Sequence, residues 1–428
     1  MLGVGAGIWQ PVTLGAKGAL AGASLDMNFG GGAYLGAAPA NLSVNRASTG
    51  YAKTLTGLLL PFGNNVARIT DLGLLIEEGR TNIFLQSQTL GTAPNAFLNS
   101  TVQADQTAAP DGTNTADQHT DDATSGQHYL NQGITYAIGT YAFSVYAKAG
   151  TDNKLQLTVA ATAFSLTPYA NFDLATGTVS ASGGGAQFIA ATIEPMANGW
   201  YRCMLIAAAD VAAPANTFVM RIPAIGSSRA PSYVGTGTTI FLWGAQTEVV
   251  GAGSSASSYI PTTSASVPRA LDVVILSGTA FSSWYTGGAI GTIYCEADAD
   301  FQSIGGINWV TDITNGGSNE EIFLLNNNAQ YNGQTKVGGS QQSNLIGGSW
   351  PIGSSRKVAL AYATGTSNTE LVANGVSIGI GTSAAIPSVN QINFGTRPGA
   401  SPALNGYIKR IAYFPSRLTQ AAMIALTT

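Results

Sequence analysis

The sharpest chemical possibility in this sequence is the run Glu296-Ala297-Asp298-Ala299-Asp300. On a β-strand alternate residues share a face, so Glu296, Asp298 and Asp300 would stand side by side. Two carboxylates about 5 Å apart can divide the work of glycoside cleavage, one as nucleophile and one as acid. The apolar Ile293 and Cys295 just before them also fit a plain amphipathic strand, so a solvent-facing polar face is the stronger expectation. A second group gathers His119 and His128, the only two histidines, with Asp117, Asp121 and Asp122. Oxygen-rich loops of this kind suit calcium, although a solvated loop accounts for the same residues, and no metal or other cofactor is expected. Glu77, Glu78 and Arg80 read as a structural ion-pair and turn cluster, because adjacent residues on a strand point to opposite faces. Gly375-Val376-Ser377-Ile378-Gly379 matches G-x-S-x-G in letters only, since it follows a hairpin turn and not a strand-to-helix elbow, and no H-E-x-x-H helix occurs.

Sugar contact needs an aromatic platform beside amide and carboxylate groups. Trp284, Tyr285, Trp309, Tyr331 and Trp350 lie near Gly- and Ser-rich turns and are the candidate glycan-binding residues. Asn326, Asn327, Asn328, Gln330 and Asn332 could line a polar groove around Tyr331. Trp200 and Trp243 sit inside strand patterns and are expected in a core.

Composition narrows the class of protein that must position these groups. Charged residues make up 9% of the 428 positions, against roughly a quarter in ordinary soluble domains. Hydrophobic residues reach 45% and are spread in short alternating runs, which argues for folded β structure over disorder. The net charge of -4 offers no basic patch for nucleic acid. No run of about 18 apolar residues suggests membrane insertion. Neutral Ser, Thr, Asn and Gln faces suit uncharged sugars and subunit contacts. Cys203 and Cys295, the only two cysteines, are expected as small buried apolar groups. The start of the chain lacks the basic n-region of a signal peptide. Neither a repeat of 20 to 50 residues nor a heptad pattern is present.

Along the chain, residues 1–24 are Gly- and Ala-rich around Trp9 and are expected to form an anchoring arm. Residues 25–84 read as a β-rich connecting module. Residues 85–253 read as an antiparallel sandwich, with Leu155-Gln156-Leu157-Thr158-Val159 alternating cleanly and turn clusters at regular spacing. Residues 254–270 are Ser-rich, contain Pro261 and Pro268, and read as a linker with little to bury. Residues 271–428 form a second sandwich, in which Asn374-Gly375 marks a tight hairpin and Thr419 caps a closing helix. The fold class is therefore all-β, with two jelly-roll sandwiches in tandem.

Several strings carry a resemblance. Gly73-Leu74-Leu75-Ile76-Glu77-Glu78-Gly79-Arg80-Thr81-Asn82, Phe241 to Glu248, Ser258-Tyr259-Ile260-Pro261-Thr262-Thr263 and Arg269-Ala270-Leu271-Asp272 occur in the order found in tail or head fibre proteins of tailed bacteriophages. Leu42 to Ser48 resembles the "TFTRAS" element of that family. The central region, with Asn198-Gly199-Trp200-Tyr201-Arg202 and Trp243-Gly244-Ala245-Gln246, resembles a carbohydrate-binding-module jelly roll. The C-terminal region, through Leu404 to Thr419, resembles a concanavalin A-like (laminin G-like) domain. The resemblance implies a structural virion protein, assembled in the host cytoplasm. Its implied partners are itself as a homotrimer, other virion proteins held through Trp9, and host surface polysaccharide. Concanavalin-like glycosidases use an E-x-D-x-E strand similar to Glu296–Asp300. Here Asp300 is one methylene shorter than the family's acid, so the resemblance implies attachment without catalysis. A virion polysaccharide depolymerase and a ligand-free structural component remain the alternatives.

Overall fold

A computed structural model describes residues 18–251, 253–286, 288–303, 306–399 and 402–428. Trp9 lies outside the described residues. The described chain is almost entirely β, and its strands build two sandwiches.

The central sandwich lies within residues 96–250. One six-stranded sheet runs Ser100–Thr107, Ala116–Asp121, Thr239–Val250, Gly139–Ala149, Trp200–Ala209, Phe188–Pro195. The other runs Thr178–Gly183, Tyr169–Asp173, Lys154–Val159, Ala213–Met220, Tyr129–Tyr136, Ala96–Leu98. Leu155, Leu157 and Val159 point into the core between them, as their alternation requires. Gly244 sits at φ +63, at a bulge that shifts register opposite Ser144 and Tyr146. A Cβ there would come within 2.9 Å of the Tyr146 ring and 3.2 Å of Tyr259, so glycine is required on both counts.

The C-terminal sandwich has a nine-stranded and a seven-stranded sheet. Its strands do not all come from residues 271–428. Leu25–Asn28 pairs antiparallel with Gly406–Phe414, placing Leu25 opposite Tyr413. Gly73–Ile76 pairs with the start of that same strand, and Ser43–Asn45 edges the opposite sheet beside Val273–Ser277. Residues 25–84 are thus not a separate connecting module. They bury Leu25, Met27, Leu74 and Ile76 in the core shared with Ile293, Ile408 and Ile411. The reason is that these strands are too short to bury apolar surface among themselves, and each finds its partner at the other end of the chain.

The passage between the sandwiches is a two-stranded neck, Arg80–Asn82 against Val267–Arg269. Residues 254–270, expected as a linker with little to bury, pack over much of their length: Ser257, Tyr259, Ile260, Thr262 and Arg269 are buried, while Thr263–Ser266 and Pro268 are exposed. Tyr259 lies 4.5 Å from Trp243, ring to ring, in an aromatic cluster with Tyr146 and Trp200. Ser-rich composition suggested a tether, but its hydroxyls satisfy buried carboxylates. Elsewhere the local signals hold. Ala373 pairs with Val376 across the Asn374-Gly375 turn, and the Thr419 hydroxyl accepts from Ala422 N at the start of helix Gln420–Thr427. Cys203 and Cys295 are buried in different cores.

Candidate functional site: a charged cleft beside a buried seam

Residues from the strings Leu42–Ser48, Gly73–Asn82, Phe241–Glu248, Ser258–Thr263 and Arg269–Asp272 converge at the junction of the sandwiches. Four cations (Arg46, Arg68, Arg80, Arg269) and four anions (Glu77, Glu78, Glu248, Asp272) are all buried there. Arg46 Nη1 reaches Asp272 Oδ1 at 2.9 Å, and Arg68 binds both Asp272 and Glu77. Arg269 Nη1 lies 2.9 Å from Glu77 Oε2, and Arg80 pairs with Glu78. The strap closes the set: Ser258 donates its N and Oγ to Glu77 at 2.7 and 2.6 Å, and Ser257 donates both to Glu248. Burial alone would raise the Glu77 carboxyl, but Arg269, Arg68 and the Ser258 bonds pull it down to about 2. A balanced, hydrogen-bonded set tolerates burial, whereas removing one partner strands a charge at a cost of about 3–5 kcal/mol. Glu77, Glu78 and Arg80 thus form the ion-pair cluster their spacing suggests.

Immediately beside this seam is a cleft of about 260 Å³ between the two sandwiches. Tyr146, Glu194, Arg202 and Met204 line it from the central sandwich, and Leu75, Asp300, Phe301 and Tyr407 from the C-terminal one. Lys53 and Glu194 form an ion pair, about a third exposed at 35% and 36%. Arg202 is buried against the Tyr146 ring, 5.4 Å from its centroid, with Nη2 donating to Ser144 Oγ at 3.1 Å. Its Nε has no partner among the described residues. Leaving a buried donor unmet costs about 1–3 kcal/mol. Asp300 takes a place in the same cleft, and among the described residues no hydrogen bond reaches its carboxylate. Its side chain is open to the cleft, yet the surrounding protein walls limit its hydration. That desolvation, with Asp298 adding, Lys53 opposing, and Glu194 and Glu77 adding further, raises its carboxyl to about 7.

The structure does not unite Glu296, Asp298 and Asp300 as a catalytic face. The strand Ile290–Ala297 ends before Asp298, with a register shift between Glu296 and Ala297. Glu296 sits across from Lys357 and Arg410. Asp298 accepts from Tyr407 N at 2.9 Å and pairs with Lys409 at 3.3 Å. Asp300 alone lines the cleft.

Contrary to expectation, four of the glycan-platform candidates are buried. Trp284 and Trp350 are core residues, and Tyr331 packs 5.4 Å from Trp350. Trp309 packs on Phe323 at 5.0 Å under Arg397. Their Gly- and Ser-rich neighbours make turns, while the large rings fill the space beneath. Tyr285 is partly exposed and lines an open groove with Ser277, Thr279, Ser282, Asn390 and Gln391. Its ring already stacks on Phe281 and leans on Tyr413. Asn326, one of the residues expected in a polar groove around Tyr331, is buried and closes its own turn through Trp350 O and Ala329 N. Trp200 and Trp243 are fully buried, as expected.

The weak calcium candidates are also committed elsewhere. Asp121 accepts from Thr238 N, Thr238 Oγ1 and Tyr233 OH at 2.6, 3.1 and 2.9 Å. Asp117 accepts from Leu90 N and Asp105 N. Asp122 is exposed and accepts from Thr124 N. Among the described residues no group of three or more His, Cys, Asp or Glu could hold a metal. His119 is buried, and neither ring nitrogen has a partner among the described residues. Burial, then Arg221 and His128, lowers it to about 3.

Arg202, Glu194 and Lys53 were not singled out from the sequence as site residues. The signal for Arg202 was present in Trp200-Tyr201-Arg202: a charge in an apolar strand is costly without a task.

No protein-family model and no curated protein matches the chain. Among solved structures, the chain is similar to the Ruminococcus gnavus IT-sialidase CBM40 bound to α2,3 sialyllactose, at 19% identity and TM-score 0.29, covering 33% of this chain and 84% of that one. It is also similar to domain 4 of AbnA, a GH43 extracellular arabinanase from Geobacillus stearothermophilus in complex with arabinotriose, at 12% identity and TM-score 0.29, covering 40% and 82%. Trypanosoma rangeli sialidase gives 10% identity and TM-score 0.30, covering 73% and 60%. At these TM-scores the likenesses bear on neither the site nor the function.

Proposed function

We propose that this chain is a structural protein of a tailed-phage virion that attaches weakly and multivalently to host surface glycans. The observation that carries the reading is the seam. The residues resembling phage fibre proteins, from Arg46 through Glu77 to Arg269 and Asp272, meet in one buried ion-pair network on the C-terminal side of the junction, and the adjoining strap ties it to the central sandwich through Ser257 and Glu248. A virion surface protein needs a fixed geometry more than a deep active site, because linked copies multiply a weak contact. Its partners would be further copies of itself, as in a homotrimer, and neighbouring virion proteins. The neutral surface composition supports such contacts and does not favour nucleic acid or a membrane.

The experiment is antibody labelling of purified virions, paired with binding of the recombinant chain to host cells before and after removal of surface polysaccharide. Labelled particles and binding that falls with polysaccharide removal support the reading. Unlabelled particles overturn its virion part, and polysaccharide-independent binding overturns its glycan part.

A second reading, a polysaccharide depolymerase, draws on the Asp300 carboxyl raised to about 7, in the range a general acid for glycoside cleavage requires. Of the other carboxylates lining the cleft, Glu194 is held by Lys53 and Glu77 by Arg68 and Arg269. Release of reducing ends from host polysaccharide, abolished by Asp300→Asn, would establish this reading.

A further inference from the structure

We propose that the cleft between the two sandwiches binds one neutral pyranose ring of a glycan, gripped by Asp300 from one sandwich and Arg202 from the other. This rests on the glycan-attachment reading and assigns it a site.

The cleft offers one acceptor and one donor that the protein leaves unmet. Asp300 takes no hydrogen bond at its carboxylate among the described residues, and the Arg202 guanidinium, whose side chain lines the wall, bonds only Ser144 among them, through Nη2. Both line the same concavity of about 260 Å³. A vicinal pair of sugar hydroxyls can donate to a carboxylate while a ring or neighbouring oxygen accepts from a guanidinium.

The rest of the wall supplies the other half of a sugar's surface. Leu59, Leu75, Met196 and Met204 present apolar groups, suited to the C–H face of a pyranose. Charge selects against an acidic sugar. Lys53 and Arg202 are balanced by Glu194 and Asp300, while Glu77 is already neutralised by Arg68 and Arg269. Nothing in the cleft leaves a surplus positive charge for a carboxylate ligand.

The site also carries a pH signature. Asp298, Lys53, Glu194 and Glu77 surround Asp300, and its carboxyl titrates near 7. Tyr407, which closes the wall beside it, is held protonated by burial. Ionised Asp300 accepts from two hydroxyls, whereas the protonated form gives up an acceptor. Affinity therefore rises with pH, by about tenfold between pH 6 and pH 8 if only the ionised form binds.

The test is ligand-observed NMR and calorimetry on the full chain. The probes are neutral tetrasaccharides of glucose, mannose and galactose, with a glucuronate-containing tetrasaccharide as the acidic comparison. The expected result is binding of at least one neutral probe that weakens at least tenfold in both Asp300→Asn and Arg202→Gln. The pH dependence should vanish in Asp300→Asn, which a merely structural role would not produce. Asp300→Asn is nearly isosteric and lies at the cleft surface, so its fold is checked by circular dichroism and remains testable if Arg202→Gln does not fold. Neutral-probe binding that survives Asp300→Asn unchanged overturns the site and leaves glycan attachment standing, with the Tyr285 groove next in line. Preference for the acidic probe overturns the ligand class. No binding of any probe at millimolar concentration overturns the cleft site, while the cell-binding experiment decides attachment separately.

Discussion

Glu77 and Asp300 line the same cleft and carry the same functional group, yet their environments drive them in opposite directions. Glu77 is met by Arg68, Arg269 and both donors of Ser258, and its carboxyl falls to about 2. Asp300 has limited hydration, no hydrogen bond at its carboxylate among the described residues and neighbouring negative charge, and its carboxyl rises to about 7. The difference teaches how to separate scaffold from site where charged groups crowd together. A satisfied buried carboxylate stabilises a particular arrangement of strands. An unsatisfied one at a cavity wall costs stability and is available to a ligand. The seam is the first case, and the cleft a few residues away is the second.

The contrast can be broken at its satisfied end with the largest effect. Glu77→Gln should strand Arg269, leave Arg68 with Asp272 alone and cost about 3–5 kcal/mol, read from urea denaturation midpoints. A loss below about 1 kcal/mol would mean the seam is not a coupled network. Next is Ser258→Ala, which removes the hydroxyl bonded to Glu77 and Arg269. It should cost about 1–3 kcal/mol, and the same substitution at the exposed Ser282 should cost almost nothing.

The two carboxylates also predict opposite responses to pH. The folded-state value of Glu77 is lowered, so its contribution is complete above about 4.5 and is lost as pH falls toward 2. His119 acts on the acid side too. Folded, it resists protonation down to about 3, whereas unfolded it protonates near 6.5, so stability declines as pH falls through that window. His119→Leu should flatten the decline between pH 6.5 and 4.5, measured by chemical denaturation at each pH. Asp300 runs the other way, since its folded-state value is raised. Between about 4 and 7 the native state holds the extra proton, and stability is relieved as pH falls. Asp300→Asn should therefore raise the melting temperature at pH 8 and leave it unchanged at pH 4. This is the smallest effect of the set, because solvent in the cleft screens the charge.

What the sequence made legible follows the range of the interactions. Local patterns were reliable: the alternation from Leu155 to Val159, the Asn374-Gly375 turn and the Thr419 cap each depend on neighbours a few positions away. The all-β class with two sandwiches followed from the same patterns. The partnership of Leu25–Asn28 with Gly406–Phe414 was invisible, because no local feature of a four-residue strand names a partner at the far end of the chain. Serine content disguised Ser257 and Ser258, whose hydroxyls look solvated until Glu77 and Glu248 are placed against them. Turn-rich surroundings likewise made Trp284, Trp309 and Trp350 look exposed, although ring volume alone favours burial. Of the carboxylates in Glu296–Asp300, strand alternation treated all three alike. Only the end of the strand at Ala297 and the arrival of the central sandwich separate Asp300 from the others. The cleft could not be read at all, since Lys53, Glu194, Arg202 and Asp300 come from distant segments and share no motif.

The most direct test of this contrast is site-resolved titration of side-chain carboxyl groups by carbon-detected NMR, with Glu77→Gln and Asp300→Asn supplying the assignments. The account predicts that the Asp300 carboxyl titrates near 7 while Glu77 remains ionised down to about pH 2. Both groups titrating near 4 would contradict it, because seam and cleft would then present the same environment.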